Sequence, residues 1–288
     1  MKETLIDAPV ERFVQLNKYR VHYWEGGAGH PVILLHGGGP GATGMTNYSP
    51  NIEPLARHFR VFALDMPGWG DSDTLEEEAD HPGRQLADVM VQFLDALGID
   101  KAAFVGNSLG GLTSITTATL YPDRVSHLIT MGAPAPFPLT LSPAGPSEGI
   151  KVLAAAQRDP SPANMKRLVQ AMVYDSSHAT DELAEARSRA SLDKPEHLAR
   201  WNEPRSTKNL GSPLPYWALG PQIRDIAVPA LIIHGRDDRV VPYENALHLV
   251  SNIPDSRMLL LNRCGHWAQI EHAEEFNLAV TAFLTERC

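Results

Sequence analysis

The sequence predicts an α/β fold, a mostly parallel sheet with helices on both faces. Three observations carry that expectation. Short apolar runs recur along the chain, segments of helical spacing alternate with them, and a Gly-x-Ser-x-Gly pentapeptide stands where one such run meets one such helix. Residues 10–16 and 19–24 read as two strands of a hairpin joined by Asn17 and Lys18. The apolar runs at 31–35, 60–64, 102–105, 125–131, 229–233 and 258–261 suit strands buried on both faces. Helical spacing marks 85–97, 109–120, 243–250 and 272–284. The alternation lapses between about 133 and 216. That stretch opens on Pro134, Pro136, Pro138, Pro143 and Pro146, continues as charged helical segments such as 181–190, and closes on Pro204, Pro213 and Pro215. A helical insertion between two sheet strands is expected to form a cap over the sheet's edge, with 1–133 and 217–288 as the core and 134–216 as the cap.

Composition narrows the partners. The chain has 288 residues, 43% of them hydrophobic, which excludes a disordered or low-complexity protein. It carries 25 Lys and Arg against 34 Asp and Glu, a net charge of −9. An acidic surface repels phosphate backbones, so no nucleic-acid partner is expected. Two cysteines, Cys264 and Cys288, cannot build a disulfide framework. The first residues lack the basic–apolar–small pattern of an export signal, and no run of about 18 apolar residues occurs. A cytoplasmic protein with no membrane association is the expectation.

The chemistry concentrates in three places. Gly106-Asn107-Ser108-Leu109-Gly110 follows an apolar run and precedes a helix rich in small residues, the context of a nucleophile elbow. A serine hydroxyl needs a base, and the base an orienting acid. For this elbow the chain order is serine, acid, histidine. Asp237 and Asp238 both follow the run ending at Gly235, and Asp238 is the chosen acid with Asp237 as a solvated or loop-stabilising neighbour. His266, in the loop after the last apolar run, is the chosen base. An oxyanion hole needs free backbone N–H groups. The glycine loop His36-Gly37-Gly38-Gly39-Pro40-Gly41-Ala42 offers Gly38, and Leu109 follows the nucleophile. His36 is read as a brace of this loop.

The same loop contains a dinucleotide-type match, Gly39-x-Gly41-x-x-Gly44, with Asp65 about 20 residues on. Pro40 lies inside it, and Pro50 and Pro54 are expected to interrupt any helix it would launch. No nucleotide cofactor is expected. The histidines show no metal-ligand spacing, so no metal is expected either.

Together these residues resemble the α/β-hydrolase superfamily and, within it, the meta-cleavage-product hydrolases, which cut a carbon–carbon bond in ring-opened catechol derivatives. The marks are the loop from His36 to Ala42 with Asn47 and Tyr48, then Gly106-Asn107-Ser108, Gly235-Arg236-Asp237-Asp238-Arg239 and Cys264-Gly265-His266-Trp267. The likeness spans nearly the whole chain. It implies an eight-stranded sheet with the cap inserted after the sixth strand, a triad of Ser108, Asp238 and His266, and a polar end lined by Asn47, Asn107 and Trp267. It also implies a cap arginine, at Arg187, for the substrate carboxylate, which a guanidinium grips with two charge-assisted hydrogen bonds. Read alone, Arg187 is equally a surface helix residue beside Arg189. Phe137, Leu153, Met172, Val173 and Val241 are expected to shape the apolar side. The implied substrate is a small-molecule ring-fission product, and the implied assembly a homo-oligomer, a dimer or larger. A carboxylesterase with the same triad and a non-catalytic binding protein on this fold remain open at this point.

Overall fold

The computed structural model describes residues 8–76, 82–135, 146–202 and 222–287. Its strands are β1 (Val10–Gln15), β2 (Arg20–Gly26), β3 (Pro31–Leu35), β4 (Arg60–Leu64), β5 (Ala102–Asn107), β6 (Val125–Met131), β7 (Ala230–Gly235) and β8 (Ser256–Leu261). They form one sheet in the order β1-β2-β4-β3-β5-β6-β7-β8. The first two are antiparallel to their neighbours, and the other pairings are parallel. The α/β expectation holds: β3 to β8 sit on the six apolar runs, and β1 and β2 form the expected hairpin.

The run at 258–261 departs from the expectation, since β8 is the edge strand and is half-exposed, with Leu260 at the surface. The inner runs are apolar throughout because both faces of the sheet are covered there. Ile33, Leu35, Phe62, Leu64 and Phe104 pack on one side. The alternate residues Val32, Leu34, Val61, Ala63 and Val105 pack on the other. Helices α1 (Gly44–Ala56), α2 (Pro82–Ala96) and α3 (Leu109–Leu120) connect the first half. The chain runs from β3 outward to β4 and returns to β5 on β3's other side. This reversal places the carboxyl ends of β3 and β5 together at a topological switch point, where open α/β sheets bind ligands. Among the described residues no helix is long and apolar enough to cross a membrane.

Between β6 and β7 lie α4 (Glu148–Arg158), α5 (Pro162–Met172), α6 (Asp181–Leu192) and α7 (Pro195–Asn202). They have a small core of their own, including Met165, Leu168, Val169 and Ala184. It is continuous with Val240, Val241 and Trp267 from the loops after β7 and β8. The boundary expected at 216 falls outside the described residues. The second half closes with α8 (Glu244–Asn252), α9 (Ala268–Glu271) and α10 (Ala273–Arg287).

Helix α1 corrects the sequence reading. Pro50 and Pro54 were expected to interrupt a helix here, yet both lie inside one. Its start is strongly set: Thr43 Oγ1 accepts from the Thr46 amide at 3.0 Å, and Thr46 Oγ1 accepts from the Thr43 amide at 2.9 Å. A proline removes a donor and leaves a carbonyl one turn back without its partner. The carbonyl released by Pro54 is that of Pro50, and Asn277 Nδ2, on α10, donates to it at 3.1 Å. Asn51 Nδ2 in turn donates to Asn277 Oδ1 at 3.0 Å and to the Gln269 carbonyl at 2.9 Å. A contact far apart in sequence replaces what Pro54 removes.

Replacing Asn277 by Ala withdraws both partners from this buried pocket. The expected outcome is a loss of about 1–3 kcal/mol in unfolding free energy, read as a lower urea midpoint with little change of slope.

Candidate active site

Ser108 stands between β5 and α3 with φ 53° and ψ −112°. A side chain at positive φ is strained, at a cost of order 1–3 kcal/mol, and here the surroundings enforce it. A Cβ on Gly106 would lie 2.2 Å from the Gly110 carbonyl oxygen, and one on Gly110 would lie 2.1 Å from that of Leu35. Only bare backbone fits at either position. The Ser108 amide donates to the Met131 carbonyl at 2.9 Å, and the Gly110 amide to the His36 carbonyl at 3.1 Å, pinning the turn to β6 and β3.

His266 Nδ1 lies 2.7 Å from Asp238 Oδ2, with both side chains buried. The other carboxylate oxygen accepts from the amides of Val240 at 2.7 Å and Val241 at 2.9 Å. With Nδ1 committed to the carboxylate, Nε2 is the nitrogen left for proton transfer. Burial pushes the Asp238 carboxyl upward, but His266 and His234 outweigh it, by charge and hydrogen bonding, and hold it well below the usual range. His234 was missed in the sequence. Its Nε2 lies 2.8 Å from the Val241 carbonyl and 3.3 Å from Asp238 Oδ2. Position 234 sits one residue before the strand-ending glycine, four before the acid, and that spacing was the available signal. Asp237 points elsewhere, its carboxylate 3.8 Å from Arg236. Gly132, at φ 54°, leaves room for the imidazole, since a Cβ there would lie 2.7 Å from His266 Nδ1.

Ser108 and His266 line one cavity of about 330 Å³. Gly38 and Leu109 line it as well, and a Cβ on Gly38 would come 3.0 Å from Leu109 Cδ2. Leu109 opens α3, so its N–H is among those without an acceptor within the helix. The glycine loop is braced as expected of His36. The Met66 amide donates to His36 Nε2 at 2.9 Å, so Nδ1 carries the hydrogen donated to the Gly37 carbonyl at 2.8 Å. Asn47 Oδ1 accepts from the Gly37 amide at 3.2 Å. Asn107 Nδ2 donates to the carbonyls of His266 at 3.1 Å and Met131 at 3.2 Å, fastening the histidine loop to β6.

Arg187 is no surface residue. It is only 2% exposed, despite lying on a charged helix. One Nη donates to the Pro40 carbonyl at 2.8 Å, and the guanidinium carbon lies 5.4 Å from the Trp267 ring centre. Burial lowers its pKa to about 10. Among the described residues no carboxylate pairs with it, and its Nε is buried without a hydrogen-bond partner.

On the apolar side, Leu153, Met172 and Val241 line the cavity as expected, joined by Leu112, Pro134, Ile150 and Val240. Ile150 stands three residues before Leu153 on α4, a spacing that shares a helical face. Val173 does not line the cavity. The chain leaves α5 there in extended conformation, and its side chain packs into the helical segment's own core. Phe137 lies outside the described residues. For metals, Glu11, His22 and Asp71 bring ligand atoms within 4.8 Å of one another. His22 is already bonded to Asp65 at 2.8 Å and Glu11 at 3.0 Å, and none of the three lines the cavity.

Sheet, elbow and cavity define the class of this protein, an α/β hydrolase. The family model described as the alpha/beta hydrolase fold matches residues 31–273. A 2-hydroxy-6-oxononadienedioate/2-hydroxy-6-oxononatrienedioate hydrolase of Dechloromonas aromatica (strain RCB) is 38% identical, covering 98% of each chain. A 2-hydroxy-6-oxo-6-phenylhexa-2,4-dienoate hydrolase of Burkholderia cepacia is 39% identical over 97% of this chain and 98% of its own. A solved meta-cleavage product hydrolase from Pseudomonas fluorescens superposes with a TM-score of 0.85 at 33% identity, covering 96% of this chain and 97% of that one. Within the α/β-hydrolase fold, the chain belongs to the meta-cleavage-product hydrolases.

The depressed Asp238 carboxyl ties stability to pH. Its folded pKa lies below the unfolded value of about 3.9, so its contribution is whole above that value and is lost as pH falls below it. Unfolding free energies measured by urea between about pH 7 and about pH 3 should fall less steeply for Asp238→Asn than for the parent.

Proposed function

We propose that this hydrolase cleaves the C5–C6 bond of 2-hydroxy-6-oxohexa-2,4-dienoates, with Ser108 as nucleophile, His266 as base and Asp238 as its orienting acid. The observation that carries the reading is Arg187, a buried cation without a carboxylate partner among the described residues, facing the same cavity as Ser108 and His266. An unpaired buried guanidinium is costly, and a substrate carboxylate at that end offsets the cost by charge-assisted hydrogen bonds. Trp267, Asn47 and Asn107 flank this polar end.

With the carboxylate at Arg187, the C6 ketone lies toward the amides of Gly38 and Leu109. The 2-hydroxy-dienoate first ketonises, its enol proton passing to C5. Ser108 then adds to C6 as His266 takes its proton, and the Gly38 and Leu109 amides hold the oxyanion. Breaking C5–C6 sends the electron pair into the 2-oxo group, giving a dienolate that protonates to 2-hydroxypenta-2,4-dienoate. Water, activated by His266, releases the C6 acyl group as a carboxylic acid. The helices between β6 and β7 act as the cap, 134–216, in this reading. The enzyme is a cytoplasmic homo-oligomer, a dimer or larger, working on a diffusible small molecule without a cofactor.

The aliphatic wall of Ile150, Leu153, Met172, Val240 and Val241 favours an uncharged C6 substituent, since a carboxylate set against it loses its hydration without compensation. The test is loss of visible absorbance of three yellow ring-fission products carrying methyl, phenyl or carboxyethyl at C6, with p-nitrophenyl acetate as control. The apolar pair should exceed the carboxyethyl compound in kcat/KM by roughly 10- to 100-fold. Turnover of the ester alone would replace this reading with a carboxylesterase.

Arg187→Gln should lower kcat/KM on the preferred dienoate by roughly 30- to 1000-fold, the equivalent of about 2–4 kcal/mol, while p-nitrophenyl acetate hydrolysis changes little. Equal losses on both substrates would show that Arg187 supports the fold rather than the carboxylate.

A further inference from the structure

Residues 172–175, where α5 ends, touch both loops that carry the downstream triad members. The His266 amide donates to the Met172 carbonyl at 2.6 Å. Beside it the backbones come so close that a Cβ on Gly265 would lie 2.5 Å from the same oxygen. Arg239, next to Asp238, donates through one Nη to the Val173 carbonyl at 2.6 Å and to the carbonyl of Gln170. The fourth tie is a side chain the mechanism does not use. Glu271 Oε1 accepts from the Gly265 amide at 2.7 Å, while its Oε2 accepts from the amides of Tyr174 at 2.6 Å and Asp175 at 3.1 Å. One carboxylate thus holds three backbone donors from two segments 90 residues or so apart along the chain.

We infer that Glu271 is a positioning residue. It clamps the histidine loop to the end of α5, so that the direction of His266 and the place of the Met172 side chain in the cavity wall are set together. The inference rests on the triad reading above, because positioning His266 matters for turnover only if His266 is the base. The chemistry favours a carboxylate here. Both oxygens are used as acceptors, and an amide of the same size offers one oxygen and turns an N–H toward an N–H at the other place. The Gly265 amide precedes His266 directly, so a shift there moves the imidazole. Displacements of about 1 Å in catalytic geometry cost on the order of 100-fold in rate.

The test compares Glu271→Gln and Glu271→Asp with the parent. Kinetics use the preferred dienoate, and proton NMR follows the low-field His266 Nδ1–H bonded to Asp238. Glu271→Gln, folded by circular dichroism, should lose roughly 10- to 100-fold in kcat with KM changed less than about 3-fold, since Arg187 is untouched. Its low-field resonance should shift or broaden. Glu271→Asp keeps two acceptor oxygens and should recover part of both readouts. A folded Glu271→Gln protein with parental kcat and an unmoved resonance would overturn the inference, as would a kcat loss that only follows the fraction unfolded. Should Glu271→Gln not fold, the two readouts on Glu271→Asp decide in the same way. If the parent turns over no dienoate while the resonance still moves in the variant, the functional reading fails and the positioning role stands.

Discussion

The site rests on a steric constraint at the end of β5. Gly106 and Gly110 let the backbone of three segments pass at distances no side chain could share, and Ser108 is left at positive φ with nowhere to relax. The turn is held by hydrogen bonds that the Ser108 and Gly110 amides donate to the end of β6 and to the residue after β3, so the surrounding sheet holds the strained conformation. The same crossing places the glycine loop after β3 beside Ser108. Leu109 and Gly38 therefore meet at the cavity without either loop needing its own device.

Around that turn the polar groups form a connected network. Asp238 is satisfied by two amides and two imidazoles, which lets a fully buried carboxylate stay ionised. Asn107 fastens His266's backbone to β6, and Met172, Arg239 and Glu271 fasten the neighbouring loops to α5. The helical segment thus belongs to the site in two senses, as the apolar wall and as part of the frame of the histidine. Arg187 Nε and Asn107 Oδ1 depart from this satisfaction, both buried without a hydrogen-bond partner on residues that line the cavity.

Much of this was legible from sequence because its causes are local. Apolar runs reported strands buried on both faces, and the pentapeptide with its flanking run and helix reported the elbow. The elbow motif carries an expected order of serine, acid and histidine, and Ser108, Asp238 and His266 stand in that order. Where reading failed, a distant partner had decided the matter. Pro54 reads as a helix breaker because the donor that replaces its missing N–H, Asn277, lies more than two hundred residues away. Val173 was expected on the apolar side, yet the chain has left α5 there and its side chain packs within the buried cluster of the helical segment rather than on the cavity.

By itself the sequence determined the sheet, the turn and the identity of the groups near its carboxyl edge, since periodicity, glycine placement and residue chemistry act over a few positions. Tertiary structure alone decided that Arg187 is buried, that His234 shares the acid with His266, and that Glu271 bridges two loops. Each depends on how helices and loops settle against one another. A side chain's burial and partners are properties of that packing, and no pattern along the chain encodes them.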